Sequence, residues 1–203
     1  MIVVVDYGAG NIGSVLNMIR KAGGQAVASA KVDDLQSAQK LLLPGVGSFD
    51  NAMLKLEQLN LVEPIRDRAL AGVPLLGICL GMQLLSFGSE EGTKAGLGLI
   101  PGRVRRFHFD EKEPLLRIPH MGWNTVKVSK KHPLAEGLEA DARFYFVHSY
   151  HYECEDSADE LFNTHYGYDF TSGIQRGNVM GVQFHPEKSH RFGMQLFKNF
   201  IAI

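Results

Sequence analysis

The chain has few cysteines and no recognisable metal-ligand spacing. Only Cys79 and Cys154 are cysteines among its 203 residues, and neither a Cys-x-x-Cys nor a His-Glu-x-x-His pattern occurs. So few cysteines in a chain of this length are typical of a reduced, cytoplasmic protein rather than one stapled by disulfides. We therefore expect neither a bound metal ion nor another cofactor.

An excess of charge and long apolar runs are missing as well. The formal net charge of -1 offers no electrostatic basis for binding nucleic acid or an anionic membrane. The apolar runs are far shorter than the roughly 20 residues that a membrane-spanning helix needs. The N-terminal "MIVVVDYGAGN" has no basic region or cleavage site, so we expect no signal peptide. Composition is ordinary for a globular protein, and we expect one cytoplasmic domain over residues 1–203.

Strand and helix patterns alternate in the first half of the chain. Short apolar runs predict strands at "IVVVD", "QAVASA", "KLLLPGVGSF" and "VPLLGI". Helical spacing lies between them at "NIGSVLNMIRKAGG", "VDDLQSAQK" and "DNAMLKLEQLNLVEPIRDRALAG". This order predicts an α/β fold with a mostly parallel central sheet and helices on both faces. After residue 97, further strands, partly antiparallel, are predicted at "LIPGRVRRFHF", "GWNTVKVS", "RFYFVHSYHYEC" and "VMGVQFHPE", and a last helix at "RFGMQLFKNFIAI".

One cysteine lies where a buried strand gives way to helical spacing. The pattern Gly77-x-Cys79-x-Gly81 is that of a nucleophile elbow, which holds a reactive side chain above the edge of the sheet. The apolar residues after it, from Met82 to Phe87, suit a packed helix. Backbone N–H groups at the start of such a helix favour thiolate, which is only about 3% of an ordinary thiol at pH 7. The spacing fits a small cysteine packed between glycines equally well.

A cysteine nucleophile needs a base, and His185 is the best placed of the eight histidines. It follows an apolar strand in "GVQFHPEKS", and Glu187 comes two residues later. Side chains at that spacing point the same way in an extended segment, so Glu187 is expected to orient the imidazole. The alternative is a surface histidine at a strand end that Pro186 terminates.

Two glycine-containing loops are further candidates. Gly45, Val46 and Gly47 follow the third strand and are suited to offering N–H groups to an oxyanion, beside the N–H of Leu80, although an ordinary turn has the same composition. The loop Gly8–Gly13 has the Gly-x-Gly-x-x-Gly spacing of a dinucleotide site. That match is partial, because the expected acid at the end of the second strand is absent; Asp33 and Asp34 come later.

The stretch "IPHMGWNTV" carries the single tryptophan. Trp123 and Met121 in a glycine-containing loop are suited to anchoring a protein interface, and equally to packing in a core.

Taken together, "GICLGMQLL", "PGVGSF" and "QFHPEKS" resemble the class I, triad-type glutamine amidotransferases, which have a flavodoxin-like fold. "DYGAGN", "PHMGWN" and "FVHSY" narrow the resemblance to the subfamily that serves imidazole glycerol phosphate synthase in histidine biosynthesis. The resemblance covers nearly the whole chain. The related glutaminase subunits of pyridoxal phosphate synthase are not expected to carry "PHMGWN".

The resemblance implies a reaction and the residues for it. Cys79 attacks the side-chain amide of glutamine, His185 transfers the proton, Glu187 orients His185, and a glutamyl thioester is hydrolysed to glutamate. The implied oxyanion donors lie at Gly45, Val46, Gly47 and Leu80. The implied contacts to glutamine are Gln83, Ser149 and Tyr150.

The resemblance also implies a partner. Ammonia would pass to a (β/α)8 cyclase subunit in a heterodimer, which forms imidazole glycerol phosphate and AICAR. The implied interface residues are Asn11, Met121, Trp123, Tyr145 and Lys188. The resemblance thus assigns Asn11 and its glycine loop to the subunit interface rather than to a dinucleotide-binding site. If a peptide in the Gly45–Gly47 segment must rotate before its N–H points at the oxyanion, glutamine hydrolysis can depend on ligand binding to the partner.

Three other functions stay open at this stage. A cysteine hydrolase of another class would use Cys79 and His185 without a partner. A nucleotide-binding protein would use Gly8–Gly13 and be indifferent to loss of Cys79. A catalytically silent scaffold protein is disfavoured by the intact set of Cys79, His185 and Glu187.

Overall fold

The computed structural model of the chain describes residues 1–109, 116–138 and 141–203. Its strands are β1 Ile2–Val5, β2 Ala26–Ser29, β3 Lys40–Gly45, β4 Leu75–Cys79, β5 Gly102–Arg106, β6 His120–Thr125, β7 Lys127–Val128, β8 Arg143–His148, β9 Tyr150–Cys154, β10 Glu160–Tyr166, β11 Tyr168–Arg176 and β12 Val179–Val182. Its α-helices are α1 Ile12–Lys21, α2 Val32–Ser37, α3 Phe49–Gln58, α4 Val62–Leu70, α5 Leu80–Gln83 and α6 His190–Ala202.

The main sheet combines a parallel and an antiparallel part. Its strands run in the order β2-β1-β3-β4-β12-β11-β10-β7, and the pairs from β2 to β12 are parallel. From β12 onward the pairs are antiparallel, and β9 joins β5 to β11. β6 and β8 form a separate antiparallel pair. The predicted α/β fold, mostly parallel with added antiparallel strands, is confirmed.

The parallel strands form because their side chains are apolar on both faces. β1 and β4 are buried at every residue, so neither face of the sheet is left to solvent. On one face Val4, Leu42 and Leu76 pack with residues of α1 and α6. On the other, Val3 and Leu43 pack with residues of α2, α3 and α4. The sheet therefore holds β4 rigidly at its centre, with the carboxyl ends of β3, β4 and β12 along one edge. No helix in the described part of the chain is long and apolar enough to cross a membrane.

The structure corrects three details of the predicted elements. The long helical stretch after residue 49 is two helices, because Asn60 adopts a φ of 55° between them and Pro64 lies in the first turn of α4, where no N–H is needed. The helix after Cys79 is only four residues long. The long hairpin of β10 and β11, turning at Gly167, was not predicted.

Candidate active site

Cys79 ends β4 in a strained conformation. Its φ of 54° and ψ of -113° lie where residues other than glycine are rarely found, and α5 begins at the next residue. The flanking glycines make this turn possible. A Cβ on Gly77 would lie 2.6 Å from the carbonyl oxygen of Gly81, and a Cβ on Gly81 would overlap the carbonyl oxygen of Leu43. The Gly-x-Cys-x-Gly pattern thus produces the sharp elbow that its spacing predicts.

His185 and Glu187 form a buried pair directly after β12. His185 Nδ1 and Glu187 Oε1 are 2.8 Å apart, and the two side chains are 2% and 3% exposed. The backbone N–H of His185 donates to Tyr145 O at 2.9 Å, and Ser189 Oγ donates to His185 O at 2.6 Å. These two contacts hold the backbone of His185 in place. Because β12 lies beside β4 in parallel register, His185 follows β12 at the same edge of the sheet as Cys79.

The electrostatics of this pair favour a charged imidazole. Burial lowers the pKa of His185, but hydrogen bonding and charge attraction from Cys79 and Glu187 outweigh it and raise the pKa to about 10. Within the described residues, Nε2 of His185 forms no hydrogen bond that meets ordinary distance and angle limits. It is the ring nitrogen left for Cys79, because Nδ1 is engaged by Glu187. These surroundings therefore favour a protonated imidazole at His185.

A cavity of about 330 Å³ opens over the elbow. The predicted site residues that line it are Val46, Gly47, Cys79, Leu80, Gln83, Ser149, Tyr150 and His185. The remaining lining residues, which the sequence did not predict, are Glu91, Pro119, Val147 and His148. Gly45 lies beside the cavity, paired with Cys79 across the sheet. Within the described residues, no group of three or more His, Cys, Asp or Glu is arranged to hold a metal ion.

The predicted oxyanion segment lies against the elbow. A Cβ on Gly45 would be 2.8 Å from the backbone nitrogen of Gly81 and 2.9 Å from Leu80 Cβ, so only glycine permits this approach. Gly47 has a φ of 100° and open space around its Cα, and Val46 is 47% exposed. Val46 and Gly47 thus form an exposed turn beside the elbow, where a Cβ added to Gly47 would meet no neighbouring atom within 4 Å.

A chain of neutral imidazoles lies beside the cavity. His148 Nδ1 is 2.7 Å from Tyr150 O, and its Nε2 is 2.9 Å from His120 Nδ1. Asn124 Nδ2 in turn lies 3.2 Å from His120 Nε2. Because a carbonyl only accepts, His148 must carry its proton on Nδ1 and His120 must donate to it. Burial lowers the pKa of His120 to about 4 and that of His148 well below 6.5, so both are neutral near pH 7.

The sequence carries a local signal for the burial of His148 but none for its contact with His120. Alternate residues of β8 face inward, namely Phe144, Phe146 and His148, and β6 pairs His120 directly with His148. The alternation alone places His148 inside. Its partner required the pairing of β6 with β8, which is not local in sequence.

Most of the predicted interface residues form one exposed aromatic cluster. Met121 and Trp123 share a face of β6 and are 61% and 47% exposed. Trp123 stacks on His190 with centroids 5.4 Å apart and meets the Tyr145 ring edge to face at 6.2 Å. Lys188 Nζ lies 5.5 Å from the centre of the Tyr145 ring. We name Met121, Trp123, Tyr145, Lys188 and His190 the aromatic patch. The remaining candidate, Asn11, is exposed at the start of α1.

The Gly8–Gly13 loop lacks the acid of a dinucleotide site in the structure too. β2 ends at Ser29, and Asp33 and Asp34 lie in the first turn of α2. Asp34 accepts a hydrogen bond from Ser29 Oγ at 2.5 Å, so it is already engaged within the protein.

Comparisons with known proteins agree with the geometry. The family model for class-I glutamine amidotransferases matches residues 3–203. "Imidazole glycerol phosphate synthase subunit HisH 2" of Pseudomonas aeruginosa is 48% identical, covering all of both chains. The protein of the same name from Methanococcus maripaludis is 49% identical over 99% of this chain and 98% of its own.

Solved structures share the fold at lower identity. A crystal structure of a glutamine amidotransferase superposes with a TM-score of 0.76 at 18% identity, over 99% of both chains. A structure of PurLQS from Thermotoga maritima gives 0.73 at 19% identity, over 99% of this chain and 97% of its own. At such identities the likeness concerns the fold alone.

Proposed function

Because the chain belongs to the class-I glutamine amidotransferases, and within them to the HisH subunits of imidazole glycerol phosphate synthase, we propose that Cys79, His185 and Glu187 hydrolyse the side-chain amide of glutamine. The observation that carries this proposal is the strained Cys79 on the same cavity as a buried His185–Glu187 pair. A nucleophile, a base and a group that orients the base recur in enzymes that transfer acyl groups through an enzyme-bound intermediate.

The first half of the reaction forms a thioester. Cys79 first gives its proton to His185 Nε2, and the resulting thiolate Sγ attacks the amide carbon of glutamine. The oxyanion of the tetrahedral intermediate accepts hydrogen bonds from backbone N–H groups at Leu80 and in the Gly45–Gly47 segment. Loss of one such donor typically costs about 2.7–4 kcal/mol of transition-state stabilisation. The imidazolium then protonates the leaving nitrogen, and ammonia departs.

The second half releases glutamate. Water attacks the thioester carbon, His185 accepts its proton, and the thiolate leaves. Glu187 holds the Nδ1–H of His185 at 2.8 Å through both halves. Because the carboxylate is almost fully buried, water does not compete for that contact, and the ring keeps Nε2 turned toward the sulfur.

The cavity suits a free amino acid. Its volume is near the lower end of the roughly 300–1,000 Å³ range of small-molecule sites. Gln83 uses Nε2 for hydrogen bonds to Tyr150 O and Gln183 Oε1, which leaves its Oε1 for a donor on the substrate. Ser149 and Tyr150 also line the cavity and complete the proposed glutamine site.

In this proposal the ammonia is passed to a partner subunit. In water it would become ammonium, which is no nucleophile, so delivery needs a docked partner. We assign that partner as the (β/α)8 cyclase subunit, in a heterodimer that makes imidazole glycerol phosphate and AICAR. The aromatic patch, with two large apolar side chains about half exposed, supports an interface there. In this proposal residues 1–203 form a single domain that contains every residue of the glutaminase site, and the protein works in the cytoplasm.

Labelling by a diazoketone analogue of glutamine tests the proposal. The reagent should modify Cys79 in a one-to-one ratio, mapped by peptide mass spectrometry, and free glutamine should protect it. Cys154→Ala is the matched control and should label like the wild type, because burial raises the pKa of the Cys154 thiol to about 12. Labelling confined to Cys154, or no protection by glutamine, would contradict the proposal.

A further inference from the structure

The orientation of two buried amides follows from one carbonyl group. Tyr150 O can only accept hydrogen bonds, and Gln83 lies 3.1 Å from it, so Gln83 must present its NH2 group there. The same Nε2 is 2.9 Å from the side-chain oxygen of Gln183. Gln183 must therefore accept from Gln83 with Oε1, and its own NH2 group points the other way.

That NH2 group faces the nucleophile. Gln183 Nε2 lies 3.8 Å from Cys79 Sγ, and the Gln183 side chain is completely buried. Its backbone is fixed as well, because the N–H of Gln183 donates to Ser172 O at 2.9 Å. The amide cannot turn over without breaking its contact with Gln83.

We propose that Gln183 is a further residue of the catalytic centre, donating a side-chain N–H to the thiolate of Cys79. The inference rests on the proposed glutaminase function and deepens it. A donor beside a buried anion favours the ionised form, since the charge has lost its hydration. Contacts of this kind are often long before substrate binds and tighten during the reaction.

The two side chains next to the thiol have different roles. His185 approaches Cys79 from the segment after β12 and takes the proton, while Gln183, two residues earlier, only donates. Gln183 thus stabilises the thiolate without competing for its proton. His148 cannot take over this part, because its single N–H is committed to Tyr150 O.

The test is the pH dependence of thiol alkylation, which needs no glutamine. In a Cys154→Ala background, Cys79 is the only thiol, and its rate of reaction with iodoacetamide reports the thiolate fraction. Gln183→Met removes the donor at similar volume, and Gln183→Leu is a second variant in case the first does not fold. The matched control is Gln175→Met, whose side-chain amide donates to Gly177 O at the protein surface.

Removing the donor should raise the midpoint of the alkylation profile by about one pH unit, a tenfold loss of thiolate. In the complex with the cyclase, kcat for glutamine should fall on the order of tenfold with KM nearly unchanged. Gln175→Met should change neither. An unchanged midpoint in a folded Gln183 variant would overturn the inference even if the wild type hydrolyses glutamine. A shifted midpoint without any glutamine hydrolysis by the wild type would instead refute the proposed function.

Discussion

Gly77→Ala should open the elbow and slow glutamine hydrolysis. An ideal Cβ on Gly77 lies 2.6 Å from Gly81 O, 2.7 Å from Gly81 C and 2.7 Å from Met82 N. All three atoms belong to the backbone of α5, so no side chain can rotate away. The methyl group must push α5, with the N–H of Leu80, away from β4.

The size of the effect follows from these distances. Real Cβ atoms stay beyond 3.0 Å, so the elbow must open by at least about 0.4 Å. A misplacement of 1 Å in an active site costs about 100-fold in rate, and scaling the logarithm of that factor to 0.4 Å gives about sixfold. Overpacking of this kind destabilises a fold by roughly 1–3 kcal/mol. For a chain of this length, each kcal/mol corresponds to a fall of about 2–4 °C in Tm.

The assay is steady-state ammonia release from glutamine together with thermal unfolding. The matched control is Gly88→Ala, where the nearest atom to an added Cβ is 3.5 Å away and φ lies outside the left-handed region that favours glycine. Gly77→Ala should lose activity and stability together, and Gly88→Ala neither. Wild-type activity and Tm in Gly77→Ala would refute the steric account of the elbow.

Three further predictions concern the base, its neighbours and the interface. Glu187→Gln removes the charge that helps raise the pKa of His185, and kcat should fall on the order of 10³-fold or more; a loss below tenfold would contradict its orienting role. Burial lowers the pKa of His120 from 6.5 to about 4. As the pH falls from 6.5 to about 4, this histidine is therefore protonated in the unfolded chain before it is protonated in the folded protein, and the folded protein loses stability. His120→Phe should flatten that decline in denaturant unfolding; an equal slope would contradict it. Trp123→Ala should weaken cyclase binding at least tenfold by calorimetry with Tm nearly unchanged; unchanged affinity would exclude the aromatic patch.

The parts that the sequence predicts well are local ones. β1, β3 and β4 are short apolar runs between turns, and their burial on both faces leaves little choice of arrangement. The Gly77-x-Cys79-x-Gly81 elbow and the pair of His185 and Glu187 each lie within five residues. Their geometry is therefore set by backbone conformation over a single turn.

The features that the sequence does not predict depend on contacts between residues far apart in the chain. His120 meets His148 only because β6 pairs with β8, and Gln83 meets Gln183 only because β4 and β12 are neighbours. The break between α3 and α4 depends on the left-handed conformation of Asn60, which apolar periodicity does not register. Periodicity also overextends α5, because Leu84 and Leu85 are buried in a turn rather than a helix.

The central claim is that Cys79 hydrolyses glutamine for a partner that consumes the ammonia. The measurement is ammonia release from glutamine by the wild type and by Cys79→Ala, each alone and with the cyclase bound to its nucleotide ligand. We predict low activity alone, a large rise with the liganded cyclase, and none in Cys79→Ala. No turnover of glutamine by the wild type, with a cyclase that works on ammonium salts, would contradict the account.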